Sequence, residues 1–142
     1  MRAAALKSGQ IYVRDDVAEP EPAFGQVLVQ VKACGICGSD LHFAKYGAEM
    51  LALTEEMEGM PELAMGTGID LDRDVFMGHE FAAEVLEIGP DTVGPPAGTL
   101  VTSIPILLSM TGVQPIVYSN DVAAGYGERM LLSAAMLHEV PN

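Results

Sequence analysis

Residues 26–33, QVLVQVKA, alternate Val27, Val29 and Val31 with Leu28, Gln30 and Lys32. A period of two built on β-branched side chains predicts a strand with one strongly apolar face. Runs of the same kind predict strands at Met1–Leu6 and Ile11–Arg14 around a turn at Gly9, and at Phe81–Gly89. Short extended stretches follow in GTLVTSIPIL, QPIVYS, GERMLLS and AMLHEV, separated by Gly, Asn and Ser. Between the first strands, Pro20 and Pro22 in AEPEPAFG lack backbone donors and mark an exposed, extended connection. A helical period occurs at Gly47–Gly59, where Met50, Leu53 and Met57 recur at spacings of three and four until Gly59 and Pro61 end it. From Pro61 to Asp74 the chain reads as loop. Many short strands, frequent turn residues and a small helical excursion predict a mainly β fold, a barrel or sandwich, in one domain spanning 1–142.

Composition narrows the function more than the fold. The 142 residues are 49% hydrophobic and 19% charged, as in a globular domain able to bury a core without a staple. The net charge is -13, and the seven Lys and Arg residues are scattered. That balance excludes a binder of nucleic acid or of an anionic membrane surface, each of which needs clustered cations. Twelve of the 20 acidic residues lie between Glu49 and Asp91 and read as a solvated face. No run approaches the roughly 20 apolar residues that span a bilayer. TLVTSIPILLSM is short and carries Pro105, and the start, MRAAALKSGQIYV, lacks the apolar core of a signal peptide. Two cysteines three apart without an export signal fit a metal or redox role in a reducing cytosol better than a structural disulfide.

Those cysteines belong to a dense stretch. CGICGSDLH, Cys34 to His42, holds two thiols, a hydroxyl, a carboxylate and an imidazole, and GHE (Gly78, His79, Glu80) adds an imidazole beside a carboxylate. Zinc takes these donor types; a structural site fills four positions from the protein, and a catalytic site keeps one open. One CxxC is a weak signal. A zinc ribbon needs a second CxxC, which is missing. A redox pair should open a helix in a βα context, and Gly38-Ser39-Asp40 does not read as one. A closed structural site from Cys34, Cys37, His42 and His79 remains open on ligand count. So does a catalytic site, in which a proton made acidic by the metal leaves through a neighbouring hydroxyl, Ser39, and an imidazole, His42. Asp40 is then a partner for the second N–H of a ligating histidine. His138 has only Glu139 beside it and reads as an ordinary histidine of a late apolar stretch.

VKACGICGSDLHFAKYG followed by MGHEFAAEVLEIG closely resembles the N-terminal, GroES-like catalytic domain of the zinc-dependent medium-chain alcohol dehydrogenases. GYGERMLLSAAMLHEVPN is similar to that domain's closing strands, and MRAAAL to its first. The resemblance covers the chain except Glu49–Asp74. It implies a GroES-like, partly open β-barrel with one or two short helices. It implies Cys37 and His79 as zinc ligands, with Glu80 as the adjacent carboxylate that can approach the metal and Cys34 as a non-ligand. Ser39 is then the hydroxyl that contacts the substrate oxygen, His42 the relay and Asp40 the carboxylate that orients the zinc histidine. The implied reaction is alcohol–carbonyl interconversion on a small alcohol, aldehyde or ketone, with hydride passing to or from NAD(P).

Three departures shape the expectation. The family's further protein ligand, often Cys, would lie beyond Asn142, and no Cys follows His79. No G-x-G-x-x-G follows a strand, since GTGIDL and GYGERM lack the third glycine, so the nucleotide-binding domain is expected to be absent from this chain. The stretch Thr99–Asn120 has no cysteine, so no structural zinc is expected. The chain is thus expected to be the catalytic-domain portion of a longer cytoplasmic oxidoreductase, inactive alone and binding its catalytic zinc weakly or not at all. Residues 47–74 are expected to form an acidic insertion or mobile loop. Surface left bare by the missing domain would favour self-association into a homo-oligomer. The other reading is a small β-barrel module with a structural zinc, acting in protein interaction.

Overall fold

A computed structural model of the chain describes residues 1–56 and 68–141. Twelve strands or helices matter to the site. In chain order they are β1 (Ala3–Lys7), β2 (Gln10–Arg14), β3 (Gln26–Cys34), α1 (Gly38–Glu56), β4 (Val75–Met77), β5 (Phe81–Ile88), β6 (Leu100–Ser103), β7 (Ile106–Ser109), β8 (Gly112–Pro115), β9 (Tyr118–Ser119), β10 (Arg129–Ser133) and β11 (Leu137–Glu139). They form an antiparallel sheet ordered β10-β3-β5-β6-β11, a second ordered β2-β1-β4-β9, and the hairpin β7-β8. Among the described residues no sheet closes on itself, which is the partly open, mainly β architecture expected of a GroES-like domain.

β3 lies between β10 and β5, so Val27, Leu28 and Val29 are all buried and both faces of its first half are apolar. Val85, Val101, Met130 and Leu132 complete this main core. A second cluster of Leu6, Phe43, Val75, Met77 and Tyr118 seats α1 on the smaller sheet. Ser8 and Gly9, with φ of 47° and 76°, make the two-residue hairpin turn between β1 and β2 that Gly9 led us to expect.

Three expectations change. A helical segment that was not expected begins at Gly38, ahead of the one expected from Gly47, and the metal motif forms its first turns. Cys37 precedes it, and the Cys37 carbonyl accepts from the amides of Asp40 and Leu41 at 3.1 and 3.5 Å. Gly, Ser and Asp favour helix starts because their small or hydrogen-bonding side chains satisfy first-turn amides. A helix therefore does follow the CxxC, contrary to expectation, although among the described residues β3 and the strands after α1 do not form a βαβ unit. Non-helical dihedrals at Tyr46 (φ -129°, ψ 25°) divide α1 into two short helical segments, the second starting at the expected Gly47. Finally, β4 falls in a stretch that has no period to mark it, three residues long and wholly buried. The expected insertion at 47–74 divides: 47–56 continue α1, and 57–67 lie outside the described residues. Among the described residues no helix is long and apolar enough to cross a membrane.

Candidate active site

The β3–β5 pairing brings the two motifs together. Its register runs to Cys34 opposite Phe81, and the Gly35 amide then donates to the Glu80 carbonyl at 2.7 Å. The segment after β3 must therefore lie against the segment before β5. A Cβ on Gly35 would sit 2.8 Å from Glu80 Oε2, the mobile end of a side chain that can swing aside. A third segment closes the site. Gly125 and Tyr126 amides donate to the Gly78 and Met77 carbonyls at 2.8 and 3.0 Å. Gly78 has φ of 101°, and a Cβ on it would fall 2.7 Å from the Tyr126 nitrogen. No L side chain suits that position.

Asp40 is the buried centre, 2% exposed. Its Oδ2 accepts from the Cys37 amide at 3.1 Å and the Tyr126 hydroxyl at 2.7 Å. Its Oδ1 lies 3.4 Å from His79 Nδ1, and neither of these two buried atoms has a formed hydrogen bond. The opposite nitrogen, His79 Nε2, lies 3.3 Å from Ser39 Oγ. Tyr118, stacked on Phe43 at 4.0 Å between ring centroids, presents an edge to the His79 ring at 6.4 Å. Burial pushes the Tyr118 phenol up, a hydrogen bond from Ser39 opposes that, and the charges of Asp40 and Cys37 add to it. Burial and then Asp40 push the Tyr126 hydroxyl well above the ordinary phenol range, so it acts as a donor.

The sequence-derived residues separate on this geometry. Ser39, Asp40 and His79 are brought into one chain of contacts. His42 is exposed, its ring 4.9 Å from Tyr46. Cys34 is half-buried, with Sγ 3.5 Å from the Gly35 carbonyl, and burial raises its thiol. His138 is exposed on β11 opposite Thr102. Among the described residues, no three His, Cys, Asp or Glu side chains are drawn together closely enough to hold a metal ion. Neither the set Cys34, Cys37, His42 and His79 nor the set Cys37, His79 and Glu80 is gathered into a metal centre among the described residues. The residue types at the site nonetheless suit zinc in chemistry: the Cys37 thiol, the Glu80 carboxylate, and the His79 imidazole, whose Nδ1 faces Asp40 and whose Nε2 faces the Ser39 hydroxyl.

Two residues of the site, Tyr118 and Tyr126, escape sequence reasoning. Each is a lone tyrosine in a strand-like run with no ligand-type neighbour, and Tyr126 meets Asp40 across 86 residues. The only local hint is Tyr126 standing between Gly125 and Gly127, a spacing that permits close backbone approach.

Comparison with known proteins decides the family. The model of the alcohol dehydrogenase GroES-like domain matches residues 23–142. This chain belongs to that family. The GroES-like chain is 32% identical over 106 residues to an NAD-dependent alcohol dehydrogenase of Sulfurisphaera tokodaii, covering 74% of this chain and 27% of that protein. It is 31% identical over 137 residues to an (R,R)-butanediol dehydrogenase of Neisseria gonorrhoeae, covering 96% and 33%. The crystal structure of 2R,3R-butanediol dehydrogenase from Bacillus subtilis superposes with a TM-score of 0.68 at 26% identity, over 99% of this chain and 40% of that one. The chain thus spans well under half the length of these medium-chain oxidoreductases.

Proposed function

We propose that this GroES-like chain supplies the zinc-holding, proton-handling part of an alcohol–carbonyl oxidoreductase, and that hydride transfer needs a nicotinamide-binding partner domain. The observation that carries the reading is the imidazole of His79 suspended between Asp40 Oδ1 at 3.4 Å and Ser39 Oγ at 3.3 Å. Cys37, His79 and Glu80 would hold the metal. Zinc, when bound, supplies Lewis acidity at a substrate oxygen. Asp40 holds the His79 ring by its Nδ1 edge. Ser39 offers an exposed hydroxyl that can accept and pass on the proton of a small alcohol. His42 lies three residues further along α1, on the same helix face and open to solvent, where it can hand that proton to water. The sequence has no G-x-G-x-x-G to cradle a dinucleotide, so the hydride carrier belongs to the partner domain.

Butane-2,3-diol is the first substrate to try, since two relatives are butanediol dehydrogenases. The zinc-supplemented 142-residue chain with NAD or NADP and this diol should produce no reduced nicotinamide. The same chain fused to the nucleotide-binding portion of the Bacillus subtilis enzyme should oxidise the diol, and His79→Gln should abolish that activity. Turnover by the chain alone contradicts the division of labour. A folded, nicotinamide-binding chimera that stays silent contradicts the enzymatic reading.

A further inference from the structure

We propose that Tyr126 is a positioning residue: its hydroxyl fixes the Asp40 carboxylate so that His79 keeps its proton on Nδ1 and its lone pair on Nε2. The inference about Nε2 as a metal donor rests on the reading above; the hydrogen-bond assignment itself does not.

A carboxylate has two equivalent oxygens, and rotation about its last bond exchanges them. Asp40 is denied that freedom by placing both of its donors on one oxygen. The Cys37 amide at 3.1 Å and the Tyr126 hydroxyl at 2.7 Å both reach Oδ2. Oδ1 is left facing His79 Nδ1 at 3.4 Å, and neither of these buried atoms makes a hydrogen bond elsewhere or, at this geometry, to the other. A neutral imidazole carries one proton, and it goes to the nitrogen that has an acceptor. A carboxylate oxygen reserved for Nδ1 therefore leaves Nε2 bare, facing the Ser39 hydroxyl at 3.3 Å. The Cys37 amide alone would be one tether, and it hangs on the loop preceding α1.

Tyr126 is built to be the rigid tether. Its amide donates to the Met77 carbonyl at 3.0 Å and its carbonyl accepts from the Ala4 amide at 3.0 Å, so β1 and β4 hold its backbone from both sides. Its ring lies where a Cβ on Gly78 would be, 2.9 Å from ring atoms Cγ and Cδ1. Gly78 is the residue before His79. One aromatic ring thus packs the backbone that carries the histidine while its hydroxyl holds the carboxylate that faces the histidine. Packing of the ring requires only a phenyl group. The hydroxyl's bond to Asp40, with the Gly35 carbonyl a second oxygen at 3.2 Å, is a separate feature that Phe would lack.

The test compares the wild-type 142-residue chain with Tyr126→Phe, Asp40→Asn and the double variant. Long-range nitrogen–proton spectra of the three histidines, taken metal-free where imidazole is neutral, read the tautomer of His79. Zinc competition against a chromophoric chelator reads affinity. The wild type should show His79 protonated on Nδ1. Tyr126→Phe should mix the tautomers and weaken zinc about tenfold, the scale of losing an outer hydrogen bond to a ligating histidine. The double variant should match Asp40→Asn to within about twofold, because Tyr126 acts through Asp40. A wild-type His79 protonated on Nε2 overturns the inference. So does a Tyr126→Phe chain with unchanged tautomer and affinity, or an additive double variant. Loss of fold in Tyr126→Phe with Asp40→Asn intact also overturns it, since the tyrosine would then serve the barrel. A tautomer shift as expected in a wild type that binds no zinc supports the positioning role and contradicts the dehydrogenase site.

Discussion

Cys34 and Cys37 stand three residues apart in the sequence and in different surroundings in the fold. Cys34 closes β3 opposite Phe81, and a Cβ on Gly125 would come within 2.7 Å of its sulfur, so the thiol is packed against backbone. Burial holds that thiol above its ordinary pKa, which suits an inert packing residue. Cys37 instead leads into α1, with its carbonyl and amide both engaged by the first turn. Its peptide amide contacts the same Asp40 that faces His79. We therefore expect Cys34→Ser to change zinc affinity less than about threefold and Cys37→Ser to weaken it at least about tenfold, a loss no smaller than that of an outer-shell partner. Chelator competition on the two variants measures both. The reverse order would reassign the ligand.

At the scale of elements, the site depends on three backbone segments meeting without side chains between them. Gly78 is the tightest point, with its φ of 101° and Tyr126 directly beneath. Gly78→Ala should destabilise the chain by at least about 1–3 kcal/mol from the backbone alone, and the clash adds to it. Urea unfolding measures this, and a change below that range would mean that the Tyr126 segment can yield. Strands such as β3 were legible because Val27, Val29 and Val31 repeat at the strand period. The start of α1 was not, because its first turn is polar and glycine-rich and its period emerges only past Tyr46. Those polar residues are the ones that later make the site, so the chemistry hid the helix. Ser39, Asp40, His42 and His79 were legible as chemistry from local spacing. Tyr126 was not, because its partner Asp40 is far away in sequence and only the fold joins them. β4 went unread because three buried residues have no period.

At the scale of the molecule, a strongly acidic domain keeps few cations, and several are committed to pinning its periphery. Arg14 pairs with Asp16 and Asp74, Arg2 with Glu128, Arg73 with Asp121 and Arg129 with Glu19. Bonds from Tyr12 and then Arg14 hold the Asp74 carboxyl below its usual range, tying β2 to the start of β4. The sheets stay open, and the site lies at the junction of the two larger ones, beside α1. The domain is an alcohol dehydrogenase GroES-like domain, and it spans 27–33% of two of its curated relatives. The proposed function turns on zinc held by Cys37 and His79. X-ray absorption at the zinc edge of the zinc-loaded chain is the most direct test. The account predicts one sulfur at about 2.3 Å and one imidazole nitrogen at about 2.0–2.1 Å in the coordination shell, with the sulfur lost in Cys37→Ser and the imidazole in His79→Gln. A shell of oxygen alone, or one that neither substitution alters, would contradict it.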